Sequence, residues 1–410
     1  MRLLVVSQYF WPENFRVNDL VSELVARGHK VTVLTGVPNY PSGTIFPEYK
    51  RDRGRFGNFA GAEVVRVPLW PRGKRRFSLF LNYASFALSG VLVGTWRLRG
   101  RSYDAIFAYE PSPVTVGIPA AWLRAIKRAP MVFWVLDLWP DTLQALGVVR
   151  SDYWLNAVGR LVTFIYGRCD LILAQSRSFI PQIGKYAAGA RVVYFPSWAE
   201  SVFAESSAAA AREVLKQPGC FDILFAGNIG EAQDFPTILA AAELLKSDGQ
   251  VRWLIVGDGR MSDWLREEVS RRGLEECFLV LGRFPLERMP SFYRRADALL
   301  LCLKDEPIFS MTIPGKLQSY LAAGVPVLAM LNGEGAEVVE RSRSGLTCRA
   351  GDAQGLASAV RRLASLPEED RAAMALNALH VTRTEFDRGR LISQLEEWLA
   401  ELAQAGRAKA

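Results

Sequence analysis

The stretch P-G-K-L-Q-S-Y-L-A-A-G-V-P-V, from Pro314 to Val327, is the most informative part of the sequence. It follows an apolar run at residues 298–303 that predicts a buried strand. A loop with Gly315 leads into a short helix that starts with Lys316, and a second apolar strand follows. A helix N-terminus directs backbone N–H groups at one point, and the lysine adds a cation there. The stretch therefore predicts a diphosphate pocket, with an ordinary βαβ unit and a surface lysine as the alternative.

Strand and helix patterns alternate along the rest of the chain as well. Such alternation is typical of parallel sheets with helices on both faces. The predicted strands are residues 3–6, 30–35, 63–68, 105–109, 130–136, 171–174, 191–195, 221–226, 251–256, 278–281, 298–303, 325–329 and 346–349. A helix is predicted over residues 18–28, and a long irregular loop, rich in Gly, Pro and aromatic residues, over 36–61. Loops of that length inside a compact domain are usually functional.

The length of 410 residues indicates two domains rather than one core. Small residues and turn formers replace the strand pattern between Pro196 and Pro218, so we expect a linker there. The predicted domains are residues 1–198 and 199–386, and an apolar-faced helix at 387–403 is expected to pack back on the first. Ligands of doubly wound sheets lie at the carboxyl ends of the strands. Two facing sheets would therefore place a substrate site in the cleft between them.

Composition excludes several classes of protein. Half of the residues are apolar and 22% are charged, so disorder is not expected over most of the chain. The five cysteines are scattered without a C-x-x-C pair and there are two histidines, so neither a zinc site nor a disulfide framework is expected. A reducing, cytosolic compartment fits this usage. The first apolar run is too short for a signal peptide. Nucleic-acid binding is not expected either, because no basic patch with interleaved aromatic residues occurs outside the membrane-like segment around residues 72–101.

Basic residues flank an uncharged apolar stretch, Phe77 to Trp96. Its length is typical of a transmembrane helix, but a span here would put the two halves of one sheet on opposite sides of the bilayer. We therefore predict a helix that lies on or dips into an anionic membrane surface. The expected membrane contacts are Arg72, Lys74, Arg75, Arg76, Phe77, Phe80, Arg97 and Arg99. The alternatives are a buried core helix with solvated ends and a true span.

Three glycine-rich turns follow successive predicted strands of the second half. They are F-A-G-N-I-G-E-A-Q-D at residues 225–234, V-G-D-G-R at 256–260 and L-G-R-F-P at 281–285. Glycines in such turns let a phosphate approach the backbone. Each turn alone is commonly structural. Their succession, with the Lys316 helix after them, favours a nucleotide site.

Together these motifs resemble a GT-B fold glycosyltransferase of the family 4 type. The resemblance is greatest to the bacterial subgroup that builds O-antigen or capsule, the WbuB-like N-acetylfucosaminyl transferases. Further motifs extend it over nearly the whole chain: S-Q-Y-F-W-P-E-N at residues 7–14, G-H-K-V-T-V-L-T-G-V-P-N-Y-P-S-G at 28–43 and L-D-L-W-P-D at 136–141. The fold class that it implies is α/β: two facing Rossmann-like domains with doubly wound parallel sheets and a cleft between them.

The resemblance implies retaining transfer of a sugar, an N-acetylated hexosamine or deoxyhexosamine, from a UDP-sugar. The acceptor would be a lipid-linked polyprenyl diphosphate saccharide of bacterial surface polysaccharide synthesis, held by the first domain, while the second holds the nucleotide sugar. The enzyme would be a peripheral or monotopic protein at the cytoplasmic face of the inner membrane. Because no D-x-D motif occurs, the diphosphate is not expected to bind through a metal, and no cofactor is predicted.

The resemblance also implies roles for single residues. Lys316 would neutralise the leaving diphosphate, while Asp137 and Asp141 would orient sugar hydroxyls or face a developing oxocarbenium charge. For the two aspartates, helix capping and a turn are the structural alternative. The expected donor-binding residues are Gly227, Asn228, Gly230, Gln233, Gly257, Arg260, Arg283, Phe284, Pro285, Pro314 and Ser319. On the acceptor side, Asn14, Arg16 and Tyr40 are expected to face the cleft.

The sequence departs from the family pattern at ionic positions. Many family 4 enzymes carry an Arg and a Lys where this chain has Asn228 and Gln233, and a pair of glutamates where it has residues near Met311 and Ser319. Ribose recognition must then differ, with Asp305 or Glu306 as candidates, and charge neutralisation shifts to Lys316, aided by Arg260 or Arg16. Two alternatives follow: a nucleotide-sugar 2-epimerase of the same fold, and a partner that binds nucleotide sugar without turnover.

Overall fold

The computed structural model describes residues 1–73, 76–145, 147–187, 189–204 and 209–408. The chain divides into two compact units. The first comprises Met1–Pro196 and the end of the chain from Gly389, and the second comprises Ser197–Arg388. Each unit consists of a sheet covered by helices, which confirms the predicted α/β class.

The first unit contains an eight-stranded sheet. Its strands are β1 (Arg2–Val6), β2 (Lys30–Gly36), β3 (Asn58–Phe59), β4 (Ala62–Val67), β5 (Ala105–Glu110), β6 (Met131–Val135), β7 (Leu171–Ala174) and β8 (Arg191–Tyr194). Its helices are α1 (Arg16–Ala26), α2 (Pro47–Arg51), α3 (Arg76–Arg97), α4 (Gly117–Lys127), α5 (Asp141–Ala145), α6 (Asp152–Tyr166) and α7 (Phe179–Gly184). The strand order is β3-β4-β2-β1-β5-β6-β7-β8, and only the short β3 is antiparallel to its neighbour. The order reverses between β1 and β5, which is where a doubly wound sheet opens a crevice at its carboxyl edge.

The second unit contains a six-stranded, parallel sheet. Its strands are β9 (Phe221–Ala226), β10 (Val251–Val256), β11 (Phe278–Gly282), β12 (Ala298–Cys302), β13 (Val327–Met330) and β14 (Gly345–Cys348). Its helices are α8 (Ser201–Ala204), α9 (Phe235–Leu245), α10 (Ser262–Arg271), α11 (Met289–Tyr293), α12 (Pro307–Ser310), α13 (Gly315–Ala322), α14 (Glu334–Ser342), α15 (Ala353–Ser365) and α16 (Glu368–Thr384). The order β11-β10-β9-β12-β13-β14 reverses between β9 and β12. The crevice expected at the carboxyl ends of these two strands lies beside α13.

The last helix, α17 (Arg388–Ala408), lies mainly in the first unit. The Arg27 guanidinium donates to Glu396 Oε2 at 2.6 Å, and His29 Nε2 lies 2.6 Å from Glu396 Oε1. The ring of Trp398 packs against Phe195 with a centroid distance of 5.9 Å. A polar and an apolar contact thus attach the end of the chain to residues near β2 and β8.

Each predicted strand is present, with its ends displaced by no more than two residues. The loop predicted as irregular over residues 36–61 instead contains α2 and β3. The stretch predicted as a linker also differs from expectation where it is described. Trp198 is fully buried and Phe203 stacks on Tyr293, so these residues pack into the second unit because they are large and apolar.

Helix α3 covers the apolar stretch and packs against the first sheet along one side only. Phe86 is fully buried, and a Cβ added at Gly90 would come within 2.8 Å of Pro119. Asn82, also fully buried, accepts hydrogen bonds from Gln8 Nε2 at 2.7 Å and Tyr9 OH at 3.1 Å. The opposite side exposes 60% or more of Phe77, Phe80, Leu88, Leu92 and Trp96. A fully buried core helix, one of the alternatives, is therefore excluded.

Candidate active site

The three glycine-rich turns of the second unit lie side by side at the carboxyl ends of β9, β10 and β11. The Gly227 N–H donates to Val256 O at 2.8 Å, and the Gly257 N–H donates to Gly282 O at 2.8 Å. Gly257 has a φ of +150°, and a Cβ there would lie 1.8 Å from Gly227 O. Only glycine permits this approach, because any other side chain would overlap the neighbouring turn.

Lys316 extends from the start of α13 under the first of these turns. Its Nζ lies 3.9 Å from the centroid of the buried Phe225 ring. A Cβ added at Gly227, where φ is +142°, would lie 2.2 Å from Lys316 Cε and 2.4 Å from Nζ. The absence of a side chain at Gly227 therefore makes room for the lysine, whose ammonium is held by a cation–π contact.

The ammonium of Lys316 has no counter-charge among the residues that the structure describes. Within the described residues, no carboxylate pairs with it and no acceptor receives a hydrogen bond from it. Burial lowers the pKa of Lys316 to about 8. In the first turn of α13, the Leu317 N–H donates to Pro314 O at 2.8 Å, while the N–H groups of Gly315 and Lys316 precede any acceptor in their own helix. A half-buried cation next to a helix N-terminus is suited to bind an anion such as a diphosphate.

The N–H groups of the glycines in these turns already have acceptors within the protein, which was not expected for a diphosphate site. The Gly230 N–H, predicted to lie under the diphosphate, donates to Gln233 Oε1 at 3.2 Å. The Asn228 side-chain amide lies 3.4 Å from the same oxygen, so Gln233 stabilises the turn through its carbonyl. With Gly227 and Gly257 also bonded to neighbouring turns, these amides are already used. The glycines here permit close packing instead of presenting N–H groups to a ligand.

The turn after β11 places an aromatic ring at the same edge of the sheet. Phe284 contacts Phe292 of α11 with a centroid distance of 4.6 Å, and Arg283 and Pro285 beside it are exposed. Arg260 is exposed on the turn after β10. These residues leave a surface where a nucleobase could stack, two strands away from Lys316.

Helix α13 is fixed to the end of β9. The Tyr320 hydroxyl accepts from the Ala226 N–H at 3.0 Å and lies 3.3 Å from Ala226 O. Pro314 forms the N-cap of this helix, and Ser319, predicted to bind the donor, is buried. The Ser319 hydroxyl donates to Glu200 Oε2 at 2.6 Å. Glu200 is an acidic residue that the motifs do not include. The predicted donor-side residues are thus gathered at one edge of one sheet.

In the first unit, Asp137 and Asp141 follow β6. Asp137 accepts hydrogen bonds from Trp139 Nε1 at 3.2 Å and from the Thr142 hydroxyl, and Asp141 begins α5. These bonds belong to a turn at the start of a helix, which is the structural alternative for Asp137. Burial raises the pKa of the Asp137 carboxyl.

Sequence reasoning missed Glu110, the last residue of β5. It is fully buried, and burial together with the nearby Asp137 raises its pKa well above its ordinary value. Its Oε2 accepts from the Asp137 N–H at 3.4 Å. An acidic residue that ends an otherwise apolar strand was the available signal. The pair forms an acidic group at the carboxyl edge beside the strand-order reversal.

Glu13, also missed, holds two loops of the first unit together. Its carboxylate accepts N–H bonds from Asn39 and Tyr40 at 2.7 Å and from Phe10 at 3.1 Å. Burial raises its pKa to about 7 in spite of these bonds. The Tyr40 ring lies 5.3 Å from the Tyr9 ring, in the loops after β2 and β1. Of the other predicted acceptor-side residues, Arg16 begins α1, and Asn14 is exposed just before it.

The predicted membrane contacts fall into separate groups. Arg97 and Arg99 are exposed at the end of α3 and Phe77 and Phe80 near its start. Arg72 differs from expectation, because its guanidinium lies over the Tyr40 ring at 5.4 Å and donates to the Tyr9 hydroxyl at 3.3 Å. Lys74 and Arg75 lie outside the described residues, and Arg76 begins α3.

Two family models match this chain. Residues 14–198 match the "Glycosyl transferase 4-like domain", and residues 220–365 match "Glycosyl transferases group 1". A relative in Escherichia coli K12, the colanic acid biosynthesis glycosyl transferase WcaI, is 28% identical over 348 residues, or 79% of this chain and 82% of that protein.

Two solved structures share the fold. Sucrose-phosphate synthase from Thermosynechococcus elongatus has a TM-score of 0.73 at 16% identity, covering 98% of this chain and 99% of that one. HepE from Anabaena, solved with UDP and glucose, has a TM-score of 0.67 at 18% identity, covering 97% of this chain and 99% of that one. These likenesses confirm the predicted GT-B fold.

Proposed function

Because this chain belongs to the glycosyltransferases, with a glycosyl transferase 4-like domain followed by a group 1 domain, we propose that it transfers a sugar from a UDP-sugar to a lipid-linked acceptor. The pathway would be bacterial surface polysaccharide synthesis. The name of the E. coli relative, a colanic acid biosynthesis glycosyl transferase, supports this pathway, and the sequence resemblance supports the WbuB-like subgroup, which builds O-antigen or capsule.

The observation that carries the proposal is the ammonium of Lys316, which lies 3.9 Å from the Phe225 ring and has no carboxylate partner in the described ranges of the chain. Glycosyl transfer from a nucleotide sugar releases a diphosphate whose negative charge grows in the transition state. A cation that is already held in position, and partly shielded from water, stabilises that charge without having to move during the reaction. The amides at the start of α13 would add to this stabilisation.

The choice of UDP has two supports. HepE, which shares the fold, was solved with UDP, and the Phe284 turn has an aromatic ring on which a base could stack. An N-acetylated hexosamine or deoxyhexosamine as the donor sugar, and retention of its anomeric configuration, follow from the family resemblance. Asp137 and Asp141 would orient sugar hydroxyls, and Asn14, Arg16 and Tyr40 would contact the acceptor.

The test is a transfer assay with a polyprenyl diphosphate N-acetylhexosamine in detergent and UDP-, GDP- or dTDP-sugars as donors. We expect UDP release together with a lipid product longer by one sugar, the anomeric configuration of which NMR shows to be retained. EDTA should leave the rate unchanged, because no metal is proposed. Turnover of a UDP-sugar to its epimer without acceptor, or activity only with GDP- or dTDP-sugars, would contradict the proposal.

We also propose that the exposed side of α3 binds the cytoplasmic face of the inner membrane, where a lipid-linked acceptor resides. Phe77, Phe80, Leu88, Leu92 and Trp96 recur at spacings of three, four and eight residues, so they form one apolar stripe. Within the described residues, α3 alone has the length and hydropathy of a membrane span. Its buried side is nevertheless hydrogen-bonded through Asn82 to Gln8, in the loop after β1 of the first unit, which favours surface binding.

The double variant Leu88→Glu, Leu92→Glu is expected to lose flotation with vesicles of phosphatidylethanolamine and phosphatidylglycerol. Each leucine contributes about 1.5–3 kcal/mol when buried, so binding should weaken by about tenfold or more. The matched control is Leu215→Glu, Leu376→Glu, which changes two leucines of the second unit that are 78% and 67% exposed. Equal flotation of both double variants would show that the α3 side does not bind lipid.

A further inference from the structure

Helix α13, which begins with Gly315 and Lys316, is contacted by a carboxylate from outside the predicted motifs. Glu200 precedes α8, and its Oε2 accepts the hydrogen bond from Ser319 Oγ at 2.6 Å. Ser319 is three residues after Lys316 on α13, so the two side chains project from one face of that helix. The Glu200 carboxylate is therefore held about one helical turn from the start of the lysine side chain.

A chain of aromatic contacts connects this place to the turn after β11. Phe203 stacks on Tyr293 with a centroid distance of 5.2 Å, and Tyr293 meets Tyr320 edge-on at 5.3 Å. The residue before Tyr293, Phe292, contacts Phe284 at 4.6 Å. The carboxylate thus lies in the part of the second unit that joins the proposed base-binding turn to the proposed phosphate-binding lysine.

In a nucleoside diphosphate, the ribose stands between the base and the phosphates. Its two neighbouring hydroxyls can both donate hydrogen bonds to one carboxylate. Such charge-assisted hydrogen bonds are stronger than hydrogen bonds between neutral groups. A carboxylate has about four lone-pair sites, so one carboxylate can accept hydrogen bonds from a protein hydroxyl and from a diol at the same time. In doubly wound folds, an acidic side chain at the carboxyl edge commonly binds a ribose hydroxyl.

Building on the proposed function, we propose that Glu200 binds the ribose hydroxyls of the UDP donor and that Ser319 positions its carboxylate. The candidates predicted from sequence are less suitable. Asp305 is exposed and accepts from Asn332 Nδ2 at 2.8 Å, and Glu306 lies next to it, before α12. Glu200 could not be predicted from sequence, because it is more than a hundred residues away from Ser319 along the chain.

The test compares the binding of UDP with that of 2′,3′-dideoxy-UDP by calorimetry. The wild-type enzyme is expected to prefer UDP by about 10- to 100-fold, since charge-assisted bonds to the diol are lost in the analogue. Glu200→Gln keeps the shape and the acceptor for Ser319 but removes the charge, so its preference should fall to about threefold or less. Ser319→Ala should give an intermediate preference, which a purely structural role would not change.

The matched control is Glu306→Gln, which should keep the full preference for UDP. Full preference in Glu200→Gln, or no preference in the wild-type enzyme, would overturn the ribose assignment while leaving the proposed function intact. Failure of the wild-type enzyme to bind UDP at all would overturn both. If Glu200→Gln does not fold, an unchanged preference in Ser319→Ala overturns the assignment.

Discussion

Replacing Lys316 with alanine is expected to lower turnover by about 100-fold or more, the usual cost of losing one fixed group that stabilises a developing anion. The ammonium lies beside the Phe225 ring without a carboxylate partner in the described part of the chain, so no other charge depends on it. Folding should change little. The measurement is the rate of UDP release with saturating donor and acceptor, together with the thermal unfolding midpoint.

The matched control is Lys246→Ala, which removes an exposed lysine before β10, at the opposite end of the sheet, and should leave turnover unchanged. A second readout is pH. Because burial lowers the pKa of Lys316 to about 8, the free enzyme loses this charge as pH rises through 8, and UDP affinity should fall there. Uridine, which lacks phosphates, should show no such fall, and Lys316→Ala should bind UDP with a flat profile. Lys316→Ala with turnover within a few-fold of the wild-type rate would contradict the phosphate role.

Gly257→Ala is expected to destabilise the second unit by about 3 kcal/mol or more. The new Cβ would lie 1.8 Å from Gly227 O, a backbone atom that cannot move without displacing the turn above Lys316. For a unit of this size, the thermal midpoint should fall by roughly 6–12 °C. Activity should fall as well, because Gly227 leaves the space that the lysine occupies. Thermal unfolding followed by circular dichroism measures the first effect.

Its control is Gly249→Ala, at a turn with a φ of +63° and no atom within 4 Å of the added Cβ. That change carries only the backbone cost of a left-handed residue, about 1–2 kcal/mol. The difference between the two variants isolates the steric overlap of the turns. Equal losses would mean that backbone strain, and not the close packing of β9 and β10 turns, explains the need for glycine.

The strands and the lysine helix could be predicted from sequence because their signals are local. Buried parallel strands are continuous apolar runs bounded by Gly, Pro or polar residues, and each run that is predicted as a strand forms one in the structure. Lys316 follows Pro314 and Gly315 at a helix start, which fixes its place on the sheet edge. Its approach to Phe225 could not be predicted, since that contact depends on how two distant segments pack.

The rest depends on contacts between distant residues. Glu13 meets the loop at Asn39, Glu110 meets Asp137, and Glu200 meets Ser319, each across at least 26 residues of sequence. Single-sequence patterns carry no such pairing information. The glycine-rich turns show a different limit. A sequence shows that glycine is present at residue 230, but not that Gln233 already uses its N–H group.

The attachment of α17 to the first unit affects how the protein forms during translation. The second unit is inserted between β8 and α17, so the ribosome must finish Ser197–Arg388 before Glu396 can reach Arg27 and His29. A nascent chain that ends near Pro196 therefore contains the strands of the first sheet but not α17, so the residues that α17 covers are still exposed. Among arrested nascent chains of increasing length, chaperone binding should therefore be lower for chains that expose residues 388–408 outside the ribosome than for chains that end near Pro196.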